Sequence, residues 1–168
     1  MSSLFLRRVL AFVIDYIVII TYAVLLFLAS SLLMNRFNID LNFGNPFKNQ
    51  IIGFFTLTLP VFLYFYLSEK GIHKATLGKR VLRLKVVSAK KHTYSIFLRN
   101  FLKFLPWEIA HIGVYQIVFF ENQQQETPHW VWFLLITPQV LVLIYFVSTL
   151  ISKGKKSIYD RICNTELT

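Results

Sequence analysis

Few of the 168 residues are of a type that does chemistry, and the most conspicuous is out of place. Asp15 stands inside the apolar run RRVLAFVIDYIVIITYAVLLFLASSLLM, seven residues after Arg8. A charge at the centre of a bilayer costs roughly 2.5–3.5 kcal/mol even on the lenient insertion scale. Such a carboxylate has to be hidden, paired or used. Seven residues of helix separate the two side chains by about 10 Å and return them to nearly one face. Asp15 therefore falls in the cytoplasmic third of a span, with Arg8 expected to snorkel to the interface. Arg99, Lys79 and Arg161 are basic groups at the same depth that can pair with Asp15. Two chemistries follow. One is a buried ion pair that pins the first helix to the cytoplasmic insert, so that deleting one partner costs roughly 3–5 kcal/mol. The other is a carboxylate that binds a proton or a cation.

Glu108 and His111, three residues apart, share a helix face. They either bond to each other and to neighbouring helices or line a polar path. No metal site is expected from this pair with His129 or His73, because His73 falls on the opposite side of the membrane from His129. TLGK at 76–79 lacks the GxxxxGK[ST] spacing of a phosphate loop, so no nucleotide cofactor is expected. Gly78 suits a close backbone approach. Lys79 suits a lipid phosphate, Asp15 or Asp160. Neither Ser95 nor Ser157 forms a nucleophile–base pattern with a histidine, which leaves no catalytic residue and no argument for an enzyme. The single Cys163 implies no disulfide framework.

The elements that must position these groups are membrane helices. Hydrophobic residues make up 55% of the chain, and a span needs about 20 apolar residues in a row. Stretches at about 9–34, 51–67, 101–120 and 130–151 meet that length, the third despite Glu108 and His111. The expected fold is therefore an all-α polytopic membrane protein, one domain over 1–168, with four transmembrane helices. The first run is too long for a cleaved signal segment and reads as a retained helix.

A net charge of +10 raises the question of nucleic acid, but its placement answers it. Residues 68–103 hold ten Lys and Arg against the lone acid Glu69. Both chain ends are basic as well, with Arg7, Arg8, Lys153, Lys155, Lys156 and Arg161, whereas the segments 35–50 and 121–129 are near neutral or acidic. With four spans this alternation follows the positive-inside rule. It puts both termini and the insert 68–100 in the cytoplasm and excludes nucleic acid as the partner.

Within the insert, Thr76 is a helix cap candidate. Leu77, Val81, Leu82 and Leu84, with Lys79, Arg80, Arg83 and Lys85 between them, fit a basic amphipathic helix on the membrane face. Those four cations are placed to hold anionic lipid headgroups, each worth about 1 kcal/mol. The helix is expected to give way to a strand near Leu84. Residues 164–167 can pair with 83–87 in a two-strand element. Lys90, Lys91 and His92 make a polar turn, and Gly44, Asn45 and Pro46 another. Pro60 and Pro106 should kink their helices, with Thr56 and Thr58 helping to satisfy freed carbonyls.

Several of these pieces stand together: RRVLAFVID in the first span, TLGKRVLRLKVV in the insert, LRN at the start of the next helix and YDRICNT at the end. In that order they resemble the RDD family of small bacterial membrane proteins, named for one arginine and two aspartates. On that match Arg8 is the family arginine, Asp15 the first aspartate and Asp160 the second. Thr76, Gly78 and Lys79 fall on a TxGK element, and Arg99 on the arginine of LRN. Asp160 with Arg161 should anchor the tail on the insert. The loop ENQQQETPH matches nothing in the pattern.

The resemblance implies a bacterial cytoplasmic (inner) membrane location. Some relatives have been proposed as cation/proton exchangers, and others resemble partners in larger assemblies. The function expected here is a non-enzymatic accessory or scaffold subunit of a membrane complex. The alternative is a small transporter, exchanging cations for protons and acting as an oligomer. Partners are then the anionic lipid bilayer and either another membrane protein or further copies of the chain.

Overall fold

The computed structural model describes residues 3–37, 45–88 and 92–168. It is mostly helical. Helix α1, Ser3–Phe37, runs for 35 residues, about 52 Å at 1.5 Å per residue. Helix α2, Pro46–Gly53, passes through a π turn at Phe54–Thr58 directly into α3, Leu59–Lys70. A short α4, Leu77–Val81, and strand β1, Val86–Ser88, form the insert. Helix α5 runs from His92 to Asn122 and α6 from His129 to Ile151. The chain ends in α7, Ile158–Ile162, and β2, Thr165–Leu167.

Three stretches among the described residues are long and apolar enough to cross a membrane: Leu4–Phe37, Pro46–Lys70 and His129–Ile151. Helix α5 has the length, but Lys103, Glu108 and His111 dilute its apolar character. The second stretch begins at Pro46, earlier than the apolar run at 51. Asn45 explains the start, since its side chain accepts from the amides of Phe47 and Lys48 while Pro46 fills the first helical position, where no amide is needed. Gly44 of that expected turn, and Lys90 and Lys91 of the other, lie outside the described residues.

The start of α1, the end of α3, the start of α5 and the end of α6 gather at one end of the bundle, together with the insert and the tail. Most of the tightly packed side chains sit there. Ala11, Leu84, Val86, Ile96 and Leu167 form the apolar core. The expected two-strand element is present: β1 and β2 pair antiparallel, with Val86 opposite Leu167 and Ser88 opposite Thr165. Val86 and Leu167 point the same way into the core because side chains alternate along a strand.

Neither proline breaks its helix. Pro60 cannot donate to the carbonyl of Thr56, four residues back, and the hydroxyl of Tyr22 on α1 donates to that oxygen at 2.6 Å. Pro106 likewise frees the carbonyl of Leu102, and Tyr145 on α6 donates to it at 3.0 Å. The threonines do not fill this role. Thr56 donates to Ile52 O at 2.7 Å, and the buried Thr58 hydroxyl has no partner among the described residues. In lipid such a freed carbonyl has no water to turn to. Tyr145→Phe should cost about 0.6–1.7 kcal/mol of unfolding free energy in a detergent titration. In a Pro106→Ala background, where the helix amide is restored, the same change should cost almost nothing.

Candidate functional site

At the gathered end of the bundle α1 carries three charged residues, and each is answered by a different part of the chain. Asp15 is 2% exposed. Its Oδ1 accepts from the Gly78 amide at 2.9 Å and the Tyr64 hydroxyl at 3.1 Å, and its Oδ2 accepts from the Thr76 hydroxyl at 2.6 Å. Tyr64 in turn accepts from the Leu77 amide. The carboxylate thus answers the N-terminus of α4, where amides have no partner within the helix and the dipole favours negative charge. Arg7, eight residues earlier on α1, holds the opposite end. Its guanidinium donates to the carbonyl oxygens of Leu82 and Arg83. Between the two, Gly78 lies against α1: a Cβ there would come within 2.1 Å of Ala11 O. The close approach expected of Gly78 is real, and α4 lies along α1.

This arrangement corrects three expectations. Asp15 is held by neutral donors and not by Arg8, Arg99, Lys79 or Arg161. The Thr76 hydroxyl does not cap α4 but donates to Asp15. Arg8 does not snorkel. It turns to the tail, donating to Asp160 Oδ2 at 2.7 Å, Tyr159 Oη at 3.0 Å and Gly154 O at 3.0 Å.

Asp160 is the centre of a second, larger constellation. Fully buried, it also receives Arg99 Nε at 2.6 Å, the Thr165 hydroxyl at 3.1 Å and the Ser157 amide at 2.9 Å. Arg99, 1% exposed, continues to the carboxylate of Glu69, which pairs with Lys79 and accepts from Asn100 at 2.9 Å. Lys79, Glu69, Arg99, Asp160 and Arg8 therefore alternate in sign and tie together α4, α3, α5, the tail and α1. The Tyr159 ring lies 5.4 Å from the Arg99 guanidinium.

Burial alone would raise the Asp160 pKa, but Arg99 and then Arg8 outweigh it and hold the carboxyl below its ordinary range. Burial also opposes the charge of Arg99, yet Glu69 and Asp160 hold its pKa above the usual guanidinium value.

Two further expectations are corrected here. Lys79 is buried against Glu69 and is not free for lipid. Arg161 does not join Asp160 in anchoring the tail, since it is exposed on the far face of α7. Arg80, Arg83 and Lys85 are exposed, as a lipid-facing set requires. Sequence reasoning missed Arg7, Tyr64, Asn100 and above all Glu69, whose isolation among ten cations was the available signal.

Glu108 and His111 sit apart from this cluster. Glu108 Oε1 accepts from Gln50 on α2, not from His111. His111 packs edge-on against Trp107 at 4.6 Å. Glu108 Oε2 and Gln50 Oε1 are buried and have no partner among the described residues. No group of three or more His, Cys, Asp or Glu among those residues is arranged to hold a metal ion.

A family model described as RDD family matches residues 3–164. The chain belongs to the RDD family. Arg8, Asp15 and Asp160 all lie within the matched span, but the arginine serves the second aspartate and leaves the first to α4. No match was found among curated proteins or among solved structures.

Glu69→Gln should unfold or strongly destabilise this RDD protein, by roughly 3–5 kcal/mol, because it strands the buried Lys79 without its counter-charge and leaves Arg99 with Asp160 alone. Asp160 gives a pH signature. Its folded pKa lies below the unfolded value of about 3.9, so its contribution is complete above that value and drains away as pH falls through the folded pKa. Between pH 7 and 5 the detergent-solubilised thermal midpoint should owe no change to Asp160. Below about pH 4 it should fall, and the fall should be shallower in Asp160→Asn, where only the ion-paired Glu69 is left to drain.

Proposed function

We propose that this RDD-family protein is a non-enzymatic accessory or scaffold subunit of a membrane protein complex in the bacterial cytoplasmic membrane. The observation that carries the reading is the state of its conspicuous charges. Asp15 is saturated by three donors, and Glu69 and Asp160 by ion pairs and hydrogen bonds, all serving to hold chain segments together. Helix α1 supports the reading from the other direction. Beyond Tyr22 it presents a long bare flank, including Phe27 at 71% and Leu32 at 70% exposure. Such a flank suits lateral contact with another membrane protein.

In this reading α5 is the fourth span, and the insert and both termini lie in the cytoplasm. Support comes from the grouping of both termini with the insert at the bundle's most basic end, which the positive-inside rule puts inside. Exposed Arg80, Arg83 and Lys85 then meet anionic headgroups.

A second reading, a small cation/proton transporter acting as an oligomer, draws on one observation. Glu108 Oε2 and Gln50 Oε1 are acceptors without donors among the described residues, a state compatible with binding a cation or proton.

Purification of a tagged chain from its native membrane in mild detergent should yield a stoichiometric foreign partner. Asp15→Asn, which puts an amide NH2 against donors, should cost about 1–3 kcal/mol and reduce recovery of that partner. A homogeneous homo-oligomer, with Asp15→Asn folding normally but losing cation flux in liposomes, would overturn the subunit reading in favour of transport.

A further inference from the structure

The tail helix α7 has two faces of opposite character. Inward it presents Tyr159 and Asp160, 9% and 0% exposed. Outward it presents Ile158, Arg161 and Ile162, with the two isoleucines 38% and 58% exposed and one helical turn apart. Asp160 does not explain that outer face, and neither does the bundle.

The depth of α7 does. Ser157 Oγ donates to Tyr145 O at 3.3 Å, the Ile158 amide donates to Ser148 Oγ at 2.9 Å, and the Tyr145 and Tyr159 rings meet edge-on at 5.0 Å. Tyr145 and Ser148 lie six and three residues before the end of α6 at Ile151, about 9 and 4.5 Å inside it. After α6 the chain therefore doubles back, and α7 begins beside the last two turns of a membrane-length helix. The residues of α6 exposed in those turns are apolar: Phe146 at 50%, Val147 at 42%, Leu150 at 44% and Ile151 at 71%. Ile158, whose amide reaches Ser148 Oγ, brings a further exposed apolar side chain beside those turns, and Ile162 stands one helical turn beyond it. Around them Lys153, Lys155 and Arg161 are exposed, while the tail's two acids are engaged, Asp160 by Arg8 and Arg99 and Glu166 by Lys156 at 3.3 Å.

We propose that α7 is a lipid-docked foot: Ile158 and Ile162 seat in the leaflet on the side of the termini, at the boundary of headgroups and acyl chains, and Lys155 and Arg161 hold anionic headgroups there. A bilayer fits where a protein does not. A stable protein contact needs roughly 800 Å² from each partner, far more than two isoleucines offer. A short helix with an apolar face and basic flanks at that depth is what an interfacial lipid contact requires. Because the same five residues carry Asp160 inward, seating α7 in lipid holds that carboxylate against Arg8 and Arg99. The inference is independent of whether the protein is a subunit or a transporter.

A nitroxide at Ile162→Cys, with buried Cys163 replaced by Ala, tests it in vesicles of phosphatidylcholine and phosphatidylglycerol. Collision with oxygen should exceed collision with a water-soluble nickel chelate, as at an Ile151→Cys control and opposite to a Lys155→Cys control. Replacing phosphatidylglycerol by phosphatidylcholine should raise nickel collisions at 162 several-fold. Nickel access equal to that at 155 in both vesicles would overturn the proposal, and so would a label that meets neither reagent, which is the mark of a protein contact. The unlabelled native chain gives a second measurement. Hydrogen exchange across Ile158–Ile162 should slow several-fold when phosphatidylglycerol is present, and unchanged exchange would also count against the foot.

Discussion

Buried charge must be answered by opposite charge, and that constraint organises the end of the bundle where the insert and the tail gather. Once Glu69, Arg99 and Asp160 leave water, each is intolerable alone. Alternation from Lys79 to Arg8 makes every member the counter-ion of its neighbours. Because the five residues come from five parts of the chain, none can be removed without exposing the others' need. The ends of the helices, the insert and the tail consequently act as one unit. The apolar core of Ala11, Leu84, Val86, Ile96 and Leu167 lies in the same region.

Asp15 belongs to a different economy, one of dipoles. It meets the unpaired amide of Gly78 while Arg7 meets the carbonyls past the other end of α4, so α1 answers both ends of a helix of five residues. A helix so short has little stability of its own. Its persistence depends on α1 supplying a negative group at one end, a positive group at the other and a small residue, Ala11, between them. The tyrosine hydroxyls that reach Thr56 O and Leu102 O follow the same rule deeper in the bundle: a backbone group freed by proline is satisfied from a neighbouring helix.

This division of labour bears on what an RDD protein of this size does. The family arginine and aspartates are committed to holding segments in place, and they leave a long bare flank on α1. Away from the family residues, the Gln50–Glu108 pair keeps two buried acceptors without a donor among the described residues. In the proposed reading, a subunit would present the tied end of the bundle and an open lateral surface to a larger assembly.

Residue type and spacing were enough to reveal the membrane class, the basic insert, the pairing of 164–167 with the strand after Leu84 and the need for glycine at 78, because each depends on hydropathy, charge or local backbone rules. The choice of partners was not legible. Arg8 and Asp15 fall on nearly one helix face, and from that geometry Arg8 is expected at the interface and Asp15 beside Arg99, Lys79 or Arg161. The fold sends one to the tail and the other to α4. Lys79 read equally well as a lipid ligand, and Glu69 as a stray acid. Spacing along a chain says which side chains share a face, but not which distant segment will fill the space beside it. Only the packing of α3, α4, α5 and the tail at one end of the bundle brought Glu69 between Lys79 and Arg99. At that point the cost of a lone buried charge determined who paired with whom.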